Sequence, residues 1–152
     1  MPTYVCTAPS GVLTAEQKSA IAKSICRNHS EATGAPPFFV QVIFEEKNLQ
    51  DRFLGGEVAN KHLWIRGDIR GGRHHSQRQD LMLGIMRDVS HIASVNEEFI
   101  WVYLRNLEPT DMIEYGHVLP APGEEQAWFE SLPVSLRKYL ANLGTNDQNF
   151  RL

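Results

Sequence analysis

The alternation of apolar and polar positions changes period several times along the chain, and those changes mark its elements. Thr3, Tyr4, Val5, Cys6, Thr7 and Ala8 read as a strand that ends at Pro9-Ser10-Gly11. Thr14 with Gln17 then predicts a capping box. Ala20, Ile21, Ile25 and Ala32 follow at helical spacing until Gly34-Ala35-Pro36 stops the helix. Phe38 to Glu45, rich in β-branched and aromatic residues, reads as a second strand. The plan then recurs: His62 to Ile69 predicts a strand, and Phe99 to Arg105 another. Between them Ser76 with Gln79 predicts the cap of a helix carrying Leu83, Met86, Val89 and Ile92.

Corresponding elements of the two halves lie about 60 residues apart, so a β-α-β unit occurs twice without obvious sequence identity between the copies. Two such units predict an α/β (α+β) fold: a two-layer sandwich with a four-stranded mixed sheet and two helices on one face. The stretches Phe39-Val40-Gln41-Val42-Ile43-Phe44 and Ile100-Trp101-Val102-Tyr103 read as central strands with apolar residues on both faces. Helices can cover only one face, so the other is expected to be buried against further subunits.

Residues 46 to 61 read as a long connection containing Gly55-Gly56. Pro109 suits a helix start, Leu119-Pro120-Ala121-Pro122-Gly123 reads as a turn-rich loop, and two short helical stretches follow. One contains Trp128 and Phe129, the other Leu136, Tyr139 and Leu140; from Gly144 the sequence is polar and expected to be loose. We expect one domain over 1–152. Its part 106–152 is too small for its own core and is expected to be a C-terminal extension packed on the rest.

Composition narrows the partners. A net charge of -3, with 15 basic residues scattered rather than in a stripe, argues against nucleic acid and anionic membrane. No apolar run reaches the roughly 18 residues of a membrane span, and the start Met1-Pro2-Thr3-Tyr4-Val5 does not read as a secretory signal. A cytoplasmic location is expected. Cys6 and Cys26 form no CxxC pair and are expected to be buried reduced thiols. The six histidines show no metal-ligand spacing, so no metal is expected.

Several residues have chemical potential. Initiator methionine is normally removed before a small residue, which would make Pro2 a free secondary amine. Near cations that amine could act as a base, and near carboxylates as an acid. Proline also suits a strand edge. Arg70-Gly71-Gly72-Arg73 gathers two guanidinium groups and flexible amides before a helix start, an arrangement suited to a small carboxylate or simply to a solvated loop. His29 falls late on the first helix, where the helix dipole favours it. Tyr103 could point to either side of its strand, and Glu114, in Met112-Ile113-Glu114-Tyr115-Gly116, could orient a water given a partner donor.

Taken together these landmarks resemble the tautomerase superfamily, and within it the cis-3-chloroacrylic acid dehalogenase family. In order along the chain they are Pro2, His29, Phe53-Leu54-Gly55-Gly56, Arg70 with Arg73, Trp101-Val102-Tyr103, Glu114-Tyr115-Gly116, Leu119-Pro120, Pro122-Gly123-Glu124 and Trp128-Phe129. The resemblance runs from Pro2 to about residue 142 and implies the doubled β-α-β sandwich assembled as a homotrimer. It further implies that Arg70 and Arg73, with His29, bind the carboxylate of a small unsaturated acid, that Glu114 with Tyr103 activates a water, and that protonated Pro2 delivers a proton. Hydration or hydrolytic dehalogenation of cis-3-substituted acrylates would follow, with no cofactor. The alternative within the superfamily is a keto–enol tautomerase of 2-hydroxydienoates or phenylenolpyruvate that uses Pro2 as a general base. Ala35 and Phe39 stand where the efficient dehalogenase has a Thr and a Leu, which implies an altered pocket and a resemblance to low-specificity members.

Overall fold

A computed structural model of the chain describes residues 2–143. The first unit runs β1 (Thr3–Pro9), α1 (Ala15–Thr33), β2 (Gln41–Lys47) and the hairpin β3 (Phe53–Leu54) with β4 (Glu57–Val58). The second runs β5 (Leu63–Arg70), α2 (His75–Ala93), β6 (Ile100–Leu107) and the hairpin β7 (Ile113–Glu114) with β8 (His117–Val118). Single 3₁₀ turns precede β2 and β6 (Pro37–Phe39, Glu97–Phe99) and follow them (Leu49–Asp51, Pro109–Asp111). Two short helices, α3 (Glu125–Ser131) and α4 (Val134–Asn142), complete the described chain.

The mixed four-stranded sheet has the order β2-β1-β5-β6. Each unit pairs its own strands in parallel, and the units join through antiparallel β1 and β5, with Thr3 opposite Asp68. This corrects one expectation. β2 and β6 are edge strands, because each crossover helix carries its second strand outward and leaves the first strands to meet in the middle. Their outer apolar residues are therefore exposed, Ile43 at 40%, Trp101 at 37% and Tyr103 at 51%. Edges of this kind invite a partner.

The core lies between the sheet and the two long helices. Tyr4, Cys6 and Ala8 alternate inward from β1, as do Leu63, Ile65 and Ile69 from β5. They meet Ile21 and Ile25 of α1 and Leu81, Ile85 and Val89 of α2. Gly67 is required among them, since a Cβ there would lie 2.5 Å from the Tyr4 ring.

The Thr14–Gln17 capping box forms, its two hydrogen bonds measuring 3.0 and 3.1 Å. α1 stops at Gly34, whose left-handed φ of 71 only glycine adopts at little cost. The second helix starts earlier than expected: its capping box is His74 with Gln77, and Ser76 lies in the first turn. The buried stripe accordingly runs through Leu81, Ile85 and Val89, and Leu83 faces solvent.

Phe38 and Phe39 do not belong to a strand. Pro36-Pro37 start a 3₁₀ turn instead, which swings both rings into a second apolar cluster with Leu119, Leu132 and Leu140. The described chain has four helices rather than two; the extra pair are the short helical stretches expected after the turn-rich loop. Residues 46 to 61 contain a 3₁₀ turn and a hairpin rather than a plain connection, and both recur in the second unit. Cys6 is buried and Cys26 half-buried, and neither is in a disulfide. The expected loose tail from Gly144 lies outside the described residues.

Candidate active site

Five of the residues singled out from sequence line one small pocket of about 10 Å³: Pro2, His29, Ala35, Arg70 and Arg73. Pro2 is fixed at the start of β1, where its carbonyl accepts from the Gln41 N–H at 3.0 Å. The antiparallel β1–β5 pairing brings the end of β5, and hence Arg70, to the same edge. The last turns of α1 carry His29 above them.

His29 is only 3% exposed. Its Nδ1 lies 2.8 Å from the hydroxyl of Tyr4, a fully buried residue one pleat beyond Pro2. Burial raises the Tyr4 hydroxyl well above the ordinary phenol range, so it keeps its proton. Burial, then the charges of Arg73, the chain terminus and Arg70, lower the His29 imidazole to about 3. A neutral imidazole that accepts at Nδ1 carries its proton on Nε2, and so can donate to an anion. Replacing Tyr4 by Phe keeps the ring and removes this constraint. We expect KM for a carboxylate substrate to rise about fivefold to tenfold, since one hydrogen bond contributes on the order of 1 kcal/mol. An unchanged KM by steady-state kinetics would disconnect Tyr4 from the site.

Arg70 is buried, at 4% exposed. Its Nη1 donates to the Pro120 carbonyl at 2.9 Å, and its Nη2 pairs with the Glu125 carboxylate. The other Glu125 oxygen accepts from the Gly123 N–H at 2.8 Å. Burial alone would raise the Glu125 carboxyl, but the hydrogen bond and charge of Arg70 together with backbone N–H donors, Gly123 among them, outweigh it and the group sits below its ordinary range. Arg73 is pulled down by burial and by the Arg70 charge, with Glu125 opposing. As a guanidinium it stays cationic at neutral pH. Arg70 is thus already matched by an internal carboxylate, whereas Arg73 forms no ion pair within 4.0 Å among the described residues.

A second cavity, about 590 Å³, takes in Thr3 at the start of β1 together with Phe39, Gln41 and Glu114, and shares no lining residue with the first. Phe39 forms a wall, its ring packed at a tilt against those of Phe38 and Trp128. Glu114 reaches this cavity from the β7–β8 hairpin.

Tyr103 is not brought to Glu114 within one chain. It lies farther along the sheet, opposite Arg66 on β6, and lines a separate cavity of about 340 Å³ with His62, Trp64 and Trp101. Its ring packs against those of Trp64 and Trp101. Sequence reasoning missed Glu125 and Tyr4. Glu125 gives no signal among the acids of its stretch, whereas the period-two spacing of Tyr4 from Pro2 could have pointed to a shared face. Among the described residues no cluster of His, Cys, Asp and Glu is arranged to hold a metal ion, and no helix is long and apolar enough to cross a membrane.

Comparison with known proteins agrees with this fold. The family model Tautomerase_3, "Putative oxalocrotonate tautomerase enzyme", matches residues 1–131. The solved structure of N1, a member of the cis-3-chloroacrylic acid dehalogenase family, is 36% identical with a TM-score of 0.90, over 93% of this chain and 99% of that one. The native fused 4-OT structure superposes with a TM-score of 0.71 at 18% identity, covering 82% of this chain and 97% of that one. The macrophage migration inhibitory factor of Toxoplasma gondii does so at 0.66 and 18%, covering 77% and 99%. At those identities the last two show the fold alone. No curated protein matches the sequence.

Proposed function

Because the chain belongs to the cis-3-chloroacrylic acid dehalogenase family of the tautomerase superfamily, we propose that this enzyme adds water to short unsaturated carboxylates such as cis-3-chloroacrylate, with mature N-terminal Pro2 as the general acid. Arg70, Arg73 and the Nε2–H of His29 bind the carboxylate and draw electron density from the C2–C3 double bond. Glu114 takes a proton from water as its oxygen bonds to C3. The π electrons move to C2, which takes the proton of the Pro2 ammonium. With chloride at C3 the halohydrin loses HCl and leaves malonate semialdehyde; with an alkyne the hydration product is a keto acid. Binding and proton transfer are supplied by side chains and the terminal amine.

The observation that carries this reading is the shared pocket of Pro2, His29, Arg70 and Arg73, with Glu114 lining a second cavity that takes in Thr3, the residue after Pro2. Charge balance supports the acid role. Glu125 offsets Arg70 and His29 is neutral, so among the side chains of this pocket Arg73 alone opposes a charged amine. Tyr103 supports water activation only if a neighbouring copy delivers it to Glu114. The apolar edge strands β2 and β6 support such a homotrimer, in which residues 106–143 stay packed on their own chain. Sedimentation as a monomer would withdraw Tyr103 from the mechanism.

The deciding experiment compares cis- and trans-3-chloroacrylate, 2,3-butadienoate, propiolate and phenylenolpyruvate as substrates for the wild type, Pro2→Ala and Glu114→Gln. Both variants are expected to lose hydration by about 10²-fold or more. Full hydration by Glu114→Gln would sink the mechanism. Activity confined to phenylenolpyruvate would assign Pro2 the role of base in a tautomerase.

A further inference from the structure

The two hairpins of the doubled unit have the same backbone and different residues. In β3–β4, Phe53 pairs with Val58 and Leu54 with Glu57; in β7–β8, Ile113 pairs with Val118 and Glu114 with His117. Each leaves a two-residue loop with both φ values positive, the turn that suits twisted antiparallel strands. The first loop is Gly55-Gly56, at φ 61 and 88, the residues this turn favours. The second is Tyr115-Gly116, at φ 53 and 80. An aromatic residue in the left-handed region is strained where glycine is not, so Tyr115 is disfavoured by its own backbone.

The Tyr115 side chain makes a contact that no glycine could. Its hydroxyl donates to the Phe38 carbonyl at 2.7 Å. Phe38 itself is buried, and its ring packs on Phe39 and Phe129 at centroid distances of 4.3 and 5.7 Å. Ile113 is 72% exposed, so the hairpin is held largely by polar contacts, and on its second strand the Trp128 Nε1–H donates to the Val118 carbonyl at 2.9 Å. Its base is closed by the Leu119 N–H donating to the Met112 carbonyl at 3.1 Å, while Tyr115 ties the tip to the apolar cluster. Phe38, Phe39, Glu114 and Tyr115 all line the larger cavity. Burial and the adjacent Glu114 charge raise the Tyr115 hydroxyl, which keeps the donor protonated.

We propose that Tyr115 is a positioning residue for hydration, its strained turn and its hydrogen bond to the Phe38 carbonyl holding Glu114 at the cavity wall. The inference rests on the assignment of Glu114 as the water-activating group. Tyr115 does not touch the reacting atoms; it fixes the backbone that does the aiming, and a small displacement of a general base is costly.

The test uses the full-length enzyme with cis-3-chloroacrylate and the single and double variants of Tyr115 and Glu114. Tyr115→Phe keeps the ring and the turn and loses the donor. Its kcat is expected to fall about tenfold, with KM changed by less than about twofold. In a Glu114→Gln background the same substitution is expected to change nothing further, which a general loss of structure would not reproduce. Tyr115→Gly relaxes the turn and removes the tether, so its kcat should fall at least as far while its melting temperature equals or exceeds that of the wild type. Wild-type kcat in Tyr115→Phe, when Glu114→Gln has lost hydration, would overturn the positioning role and leave the mechanism standing. Full hydration by Glu114→Gln would overturn both. Equal losses from Tyr115→Phe with and without Glu114 would overturn the link between them.

Discussion

Arg70→Ala is expected to lower kcat/KM for a short unsaturated carboxylate by about 10³-fold or more, and to destabilise the fold as well. The catalytic loss arises because Arg70 offers paired donors in a pocket with little solvent, where charge-assisted contacts to a carboxylate are strongest. The stability loss has a different origin. The guanidinium joins the Pro120 carbonyl and the Glu125 carboxylate, and so clamps the start of α3 to the end of β5. Removing it leaves an acid three-quarters covered without its paired guanidinium and with only the unpaired Arg73 charge nearby, a change that costs about 3 kcal/mol in comparable partly buried pairs. For a chain of this length the melting temperature should fall by about 10 °C. Glu125→Gln separates the effects: it relaxes the clamp while leaving Arg70 for substrate, so its melting point should fall without a comparable loss in kcat/KM. Calorimetry beside steady-state kinetics on both variants decides the matter. Arg70→Ala with wild-type KM and kcat would remove it from the binding pocket.

The second large effect concerns acid. In the folded chain the His29 imidazole titrates at about 3, against about 6.5 when unfolded. Between those values the unfolded chain binds a proton that the folded one refuses, so unfolding is favoured as pH falls. Stability attributable to this residue is fully present above about pH 6.5 and is lost progressively as pH falls toward 3. The gap corresponds to roughly 4 to 5 kcal/mol, a sizeable share of the stability of an ordinary domain. Urea unfolding at a series of pH values should give a slope in this window that His29→Gln largely removes. An identical slope in the variant would show that carboxylates, not His29, govern acid sensitivity.

The parts of the molecule governed by short-range pattern are legible in the order of residues alone. Thr14 with Gln17 and the stop at Gly34 are local features, and both lie where the residues predict. The doubled strand–helix–strand order likewise follows from periodicity. Competition between neighbours is what pattern does not resolve. Ser76 and His74 each begin a capping box with a glutamine three residues on, and only packing of Leu81, Ile85 and Val89 selects the second. Phe38 and Phe39 have strand chemistry, but Pro36-Pro37 and an apolar cluster assembled from residues about 80 to 100 positions away take them into a turn. The candidate site shows the same division. Pro2, Arg70 and Arg73 stand out by type and order. Glu125, Tyr4 and the role of Tyr115 emerge only from which side chains meet across the fold. The separation of Tyr103 from Glu114 is invisible in the sequence for the same reason.

The doubled unit also sets an arithmetic limit on chemistry. β1 is preceded by Pro2, and β5, its counterpart, by His62. A polypeptide has a single amino terminus, so only one of these two equivalent positions can ever hold a free proline amine. The candidate site is accordingly drawn from both units, Pro2 and His29 from the first and Arg70, Arg73 and Glu114 from the second, and the first hairpin has Leu54 at the position matching Glu114.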